Sequence, residues 1–231
     1  MGEVFTPEHY VQQMFKCLDP GVWSNENIIF FEPSCGHGNI VVSIFLKRIE
    51  KLTDAYIKQG SKKPILQAVA NSLNTIWAID ICAENVELTR KRIFEIILNT
   101  IKNENCSLYE PKTRIFVAHI ICALCWQIHE NETLSSLGKD IDANLTKLGK
   151  DWLKKNSHRP IKFENTWCNY FLEMQKNKIE PIRFQRANRL LEFCIQSKNV
   201  RGFDEFNFAK QLIQEFTILK RNFKNSEIEV A

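Results

Sequence analysis

Long apolar runs are missing from this chain. None of its 231 residues belongs to a stretch approaching the roughly 20 consecutive apolar residues that a bilayer crossing requires, so no membrane span and no membrane partner are expected. Glycine (8) and proline (7) are scarce, no two prolines are adjacent, and no internal repeat or low-complexity tract is present in the sequence. A compact cysteine framework is missing too. Cys17, Cys35, Cys82, Cys106, Cys122, Cys125, Cys168 and Cys194 are scattered through apolar surroundings, which predicts buried thiols in a reducing compartment and no disulfides. The opening MGEVFTPEH has neither a basic n-region nor a continuous apolar h-region, and the expected location is cytoplasmic.

What is present suits one sizeable core with an appendage: 44% of residues are hydrophobic and 25% charged. The net charge of +4 is unevenly placed. Residues 1–150 carry 16 Lys+Arg against 17 Asp+Glu, while residues 151–231 carry 15 against 10, so the C-terminal part alone is basic. Such an excess can serve a polyanion, although a solvated basic face is its commoner use.

Hydrophobic spacing orders the elements. Thr6-Pro7 resembles an N-cap followed by proline at the first helical position, and Tyr10, Val11, Met14 and Leu18 recur at helical spacing until Asp19-Pro20. Residues 27–32 (NIIFFE) read as a buried strand feeding the glycine-containing turn 33–38. A helix is expected from about Asn39 to Gln59, a short one near 66–73, a strand at 75–80 ending in Asp80, and a long helix from Glu84 to about Asn103. A third strand is predicted at Arg114 to Val117, extending toward Ile121, and helices at 134–155, 167–175, 184–195 and 204–223. Strand, helix, strand, helix in this order implies right-handed crossovers and a parallel sheet.

The turn Glu32-Pro-Ser-Cys-Gly-His-Gly38 sits where a strand gives way to a helix, and Gly36 and Gly38 would let a ligand approach the backbone there. Glu32 at the strand end is placed to meet a ligand ammonium group. Asp80, ending the second strand, can accept hydrogen bonds from ribose hydroxyls. The insertion around residues 55–74 lengthens the spacing between them beyond that of a simple dinucleotide fold.

GEVFTP at 2–7, EPSCGHGN at 32–39 and WAIDICAENVELTRKR at 77–92 resemble, in this order, the opening of adenine-specific DNA methyltransferases of the amino-methylating class. The resemblance covers roughly residues 2–100. It implies a Rossmann-like α/β domain of the class I methyltransferase type with S-adenosylmethionine as cofactor. By resemblance, Phe5, Thr6 and Pro7 pack over the methionine end of that cofactor, Glu32, Pro33, Ser34, Cys35, Gly36 and Gly38 form its loop, Asp80 holds its ribose, and Ile81 lines its adenine pocket.

The same family carries a (D/N/S)PP(Y/F/W) tetrapeptide that holds a flipped adenine for transfer. With prolines only at 7, 20, 33, 64, 111, 160 and 181, this chain has the tetrapeptide in no register, and no catalytic residue is assigned. Residues 116–126, standing where the third cofactor element is expected, contain no acid to cap a strand.

Two further constellations have simpler readings. His119, Cys122, Cys125 and His129 include zinc-ligand residue types, but within a contiguous apolar run they are expected as core thiols with histidines at its edge, so no metal is assigned. Lys154, Lys155, Arg159, Arg183 and Arg186, with Trp167 and Tyr170 nearby, are candidates for nucleic-acid phosphate contact, the simpler reading being a solvated helical face over an aromatic core. The expected organisation is an α/β methyltransferase-like domain over residues 1–130 and a mainly helical, mildly basic extension over 131–231. The expected function is S-adenosylmethionine binding of the adenine DNA methyltransferase type, inactive alone. Its rivals are a non-catalytic partner of the catalytic or recognition subunit in a DNA methylation or restriction-modification complex, and a methyltransferase acting on RNA or a small molecule.

Overall fold

The computed structural model describes residues 6–105, 116, 120–121, 123–125, 127–137, 145–156, 160–163, 166 and 168. Helix α1 (Glu8–Lys16) turns Val11 and Phe15 inward. Its N-cap is Pro7, not Thr6, and Thr6 instead accepts from Asn39 Nδ2 through its backbone carbonyl at 3.3 Å. A short 3-10 helix at Pro20–Trp23 is capped by the Asp19 carboxylate, which accepts from Gly21 N at 2.6 Å. Strand β1 (Phe30–Glu32), α2 (Asn39–Lys58), α3 (Pro64–Asn74), β2 (Ile76–Asp80) and α4 (Ala83–Asn103) then follow at the predicted places.

Among the described residues three strands form one parallel sheet in the order β1, β2, β3, with β3 at Ile128–Glu130. Phe31 lies beside Trp77, and Asp80 beside Glu130. Alternation sends Phe30, Ile76, Ala78 and Ile128 to a face packed with side chains of α1, α2, α3 and α4. On the other face, Ile29, Phe31, Trp77 and Ile79 pack with Phe163 and Cys168. Every residue of β2 is buried, as a central parallel strand covered on both sides must be. This is the mixed α/β parallel arrangement that the order of elements implied.

The third strand is displaced from its predicted position. Phe116, Ile120, Ile121, Ala123, Leu124, Cys125 and Gln127 are helical, and the strand comes only after them. Arg90, buried on α4, fixes the new position: Nε donates to Ile128 O at 2.5 Å and Nη2 to Cys125 O at 2.7 Å. The displacement also overturns the expectation of an uncapped third element, because β3 ends in buried Glu130.

The helix expected over 134–155 is interrupted. Helix α5 (Thr133–Leu137) starts on the Glu132 carboxylate, which accepts from Leu134 N at 3.1 Å and Ser135 N at 2.9 Å. A separate α6 (Lys147–Asn156) starts on Thr146, whose Oγ1 accepts from Gly149 N at 2.9 Å. Beyond β3, Cys168 is tied back to the sheet by Gln127, whose Oε1 accepts from Cys168 N at 3.1 Å. The helices expected at 184–195 and 204–223 lie outside the described residues, as does all of 167–175 except Cys168. Among the described residues no helix is long and apolar enough to cross a membrane.

Candidate functional site

Each strand ends in an acid, Glu32, Asp80 and Glu130, all at the carboxyl edge of the sheet where ligands of open α/β folds bind. Between β1 and α2 the loop Pro33–Gly38 crosses that edge. Both of its glycines adopt positive φ, +49° at Gly36 and +83° at Gly38, but for different reasons. A Cβ added at Gly36 would meet nothing within 4 Å, so this residue faces open space. One added at Gly38 would lie 2.7 Å from both Cγ2 and Oγ1 of Thr89, so close packing against α4 demands that glycine.

The loop's backbone groups are turned inward. Ser34 N donates to Glu32 Oε1 at 3.2 Å, Cys35 N to Ile79 O at 2.9 Å, Gly36 N to Asp80 Oδ2 at 2.9 Å and Gly38 N to Cys35 O at 2.8 Å. The carbonyls are held as well: Pro33 O accepts from Thr133 Oγ1 at 2.6 Å, Gly36 O from Thr89 Oγ1 at 3.0 Å, and His37 O from Arg92 Nη1. Phosphate cradles point their amide N–H groups outward at the ligand. Here two of these amides serve carboxylates instead.

Asp80 is 5% exposed, and its Oδ1 also accepts from Cys82 N at 2.9 Å and Asn85 Nδ2 at 3.4 Å. Burial of Glu32 and the negative charge of Asp80 raise the Glu32 pKa, with the Ser34 N–H opposing them. The Cys35 thiol, buried and next to the same two acids, is pushed up to about 12 and stays neutral. Among the described residues neither Glu32 nor Asp80 forms an ion pair, whereas Glu130 is held by Lys155 Nζ at 2.9 Å. The edge is therefore a locally acidic, partly buried place with a stretch of open backbone at Gly36.

The structure brings Thr6, Glu32, Pro33, Ser34, Cys35, Gly36, Gly38 and Asp80 together. Pro7 is exposed at the start of α1, and Ile81, 48% exposed, follows directly on Asp80. Phe5 lies outside the described residues. Of the basic candidates, Lys154 and Lys155 are exposed on α6, and Lys155 reaches the site's edge through Glu130; Arg159, Arg183 and Arg186 lie outside the described residues. His119 and Cys122 lie outside them too, while Cys125 is buried and His129 Nε2 accepts from the Trp77 indole N–H at 2.9 Å.

Thr89, Arg92, Thr133 and Glu130 were absent from the sequence reading of the site. One signal existed for the first: Thr89 falls on the stripe Val86, Thr89, Ile93, Ile97 that α4 buries, and a threonine on an apolar stripe calls for a partner. No family model, no curated protein and no solved structure matches this chain.

Proposed function

We propose that the loop Pro33–Gly38, with Glu32 and Asp80, binds S-adenosylmethionine in a Rossmann-like domain of the class I methyltransferase type. The observation that carries this reading is the pairing of inward-turned loop amides with two acids that, among the described residues, form no ion pair. An anionic nucleotide would meet carboxylates rather than free N–H groups there. A ligand bearing an ammonium group and hydroxyls is the better fit.

The chain's own groups divide that work. Glu32 meets the ammonium, and the open face of Gly36 admits the ligand's chain. Asp80 Oδ1 already accepts twice and Oδ2 once, leaving acceptor capacity on Oδ2 for a ribose hydroxyl. Ile81, exposed beside it, offers an apolar surface to the adenine. S-adenosylmethionine, when bound, supplies a methyl group on a sulfonium.

The substrate class this reading adopts is DNA adenine, on the strength of the resemblance of residues 2–100, with the basic helix α6 next to the site's edge. The chain alone is inactive, because no segment carries the proline pair that aims polar atoms at the acceptor amine, and misplacement of about 1 Å already costs on the order of 100-fold in rate. That same absence favours a non-catalytic partner in a methylation complex as the second reading. Equilibrium dialysis with tritiated S-adenosylmethionine tests the first claim: retention that excess NAD or ATP does not displace is expected, and displacement by either contradicts it. Methyl transfer to unmethylated genomic DNA tests the second. Incorporation by the chain alone overturns the inactive reading, and incorporation only with the product of a neighbouring reading frame supports a split enzyme.

A further inference from the structure

We infer that Thr89 is the positioning residue that sets the cofactor loop in its binding shape, an inference that rests on the S-adenosylmethionine reading for its effect on affinity. The default partner of a threonine hydroxyl inside a helix is its own backbone carbonyl three or four residues back. Thr100, on the same helix, follows that default, donating to Ile96 O at 2.9 Å. Thr89 is diverted from it: fully buried, it donates out of the helix to Gly36 O at 3.0 Å.

The Gly36 residue is thereby held at both polar ends, its N–H by Asp80 from β2 and its carbonyl by Thr89 from α4. Both methyl and hydroxyl of Thr89 also fill the space beside Gly38, so that the following turn cannot shift toward α4. One helical turn further on, Arg92 holds His37 O and donates to Asn39 Oδ1 at 2.8 Å. The two bonds pin the two peptide planes that flank the Gly36 Cα, so rotating either plane would break one of them. Its open side therefore stays presented at the acidic edge before any ligand arrives, which lowers the ordering cost of binding.

The experiment compares Thr89→Val, which keeps the shape and loses the hydroxyl, with Thr89→Ser, which keeps the hydroxyl. It uses the full chain with S-adenosylmethionine as the calorimetric probe and, separately, ligand-free amide hydrogen exchange at Gly36. Thr89→Val is expected to weaken binding about 5-fold, the worth of one neutral hydrogen bond, and to speed Gly36 exchange while β2 amides are unchanged. Thr89→Ser is expected to restore both. Wild-type affinity and exchange in Thr89→Val, or equal impairment in the two variants, overturns the inference. If the wild-type chain binds no S-adenosylmethionine, the cofactor reading fails, and the exchange measurement alone decides the role of Thr89.

Discussion

The two glycines of the loop respond to the same substitution in opposite ways. Gly38→Ala places a Cβ 2.7 Å from Cγ2 and Oγ1 of Thr89 and 3.0 Å from its Cβ, at a φ of +83°. Carbon contacts are most favourable at about 3.5–4.0 Å, so the nearest overlaps amount to roughly 1 Å. The left-handed backbone costs an alanine about 1–2 kcal/mol and overpacking a further 1–3 kcal/mol, giving about 2–5 kcal/mol in total. Against a typical domain stability of about 5–15 kcal/mol, this is a large fraction. Gly36→Ala carries the backbone cost alone, about 1–2 kcal/mol, because the added methyl enters open space. Urea denaturation with intrinsic tryptophan fluorescence measures both. The expected result is a midpoint lowered far more by Gly38→Ala, with Gly36→Ala folded but impaired in ligand binding. Equal destabilisation of the two variants would refute the division of roles, as would full ligand binding by a Gly36→Val protein.

Arg48 is fully buried, with Nη1 donating to the carbonyls of Val22, Trp23 and Asn25 at 3.0, 3.1 and 2.8 Å and Nη2 to Thr75 Oγ1 at 2.8 Å. Arg48→Met strands these acceptors and is expected to cost about 3 kcal/mol or more in chemical denaturation; a loss below about 1 kcal/mol contradicts that role. Glu32→Gln keeps an acceptor for Ser34 N but removes the charge that burial and Asp80 oppose. Because the folded pKa of Glu32 lies above its ordinary value, its contribution to stability is fully present below the unfolded pKa and is lost as pH rises through the folded one. Melting temperatures against pH should thus show the Gln variant gaining on wild type as pH rises from the ordinary carboxylate pKa through the raised folded one, and level above it, while binding a cationic ligand more weakly; a variant that loses ground over that window, or one with unchanged affinity, refutes this.

The parts of the fold legible in the sequence are those made by local patterns. Residues 27–32 and 75–80 carry β-branched and aromatic runs, and α2 and α4 show helical spacing bounded by Gly38 and Asp80, so their boundaries fell within a few residues of those observed. β3 has no such pattern. It is three residues, Ile-His-Glu, and its two polar side chains are buried through partners far away in the chain, Trp77 for His129 and Lys155 for Glu130. The apolar run ahead of it, rich in isoleucine and cysteine, looks like a strand, but its described residues Phe116, Ile120, Ile121, Ala123, Leu124 and Cys125 are helical and join the core cluster that also holds residues of α4. In the candidate site, the loop was readable because a tight strand-to-helix turn calls for glycine, and Glu32 and Asp80 each end an apolar run. The carbonyl anchors Thr89 and Arg92 contact residues more than fifty positions away, and no spacing rule within α4 encodes which loop atom they meet.

Calorimetric titration of S-adenosylmethionine into the full chain tests the central claim most directly, with Asp80→Ala as the paired variant. Asp80 contributes charge-assisted hydrogen bonds to Gly36 N and, in the proposed complex, to a ribose hydroxyl. Their loss, worth roughly 1.5–3 kcal/mol, should weaken binding about 10- to 150-fold from a saturable single site in the wild type. No binding heat at millimolar ligand with the wild-type chain, or equal affinity in the Asp80→Ala protein, contradicts the account.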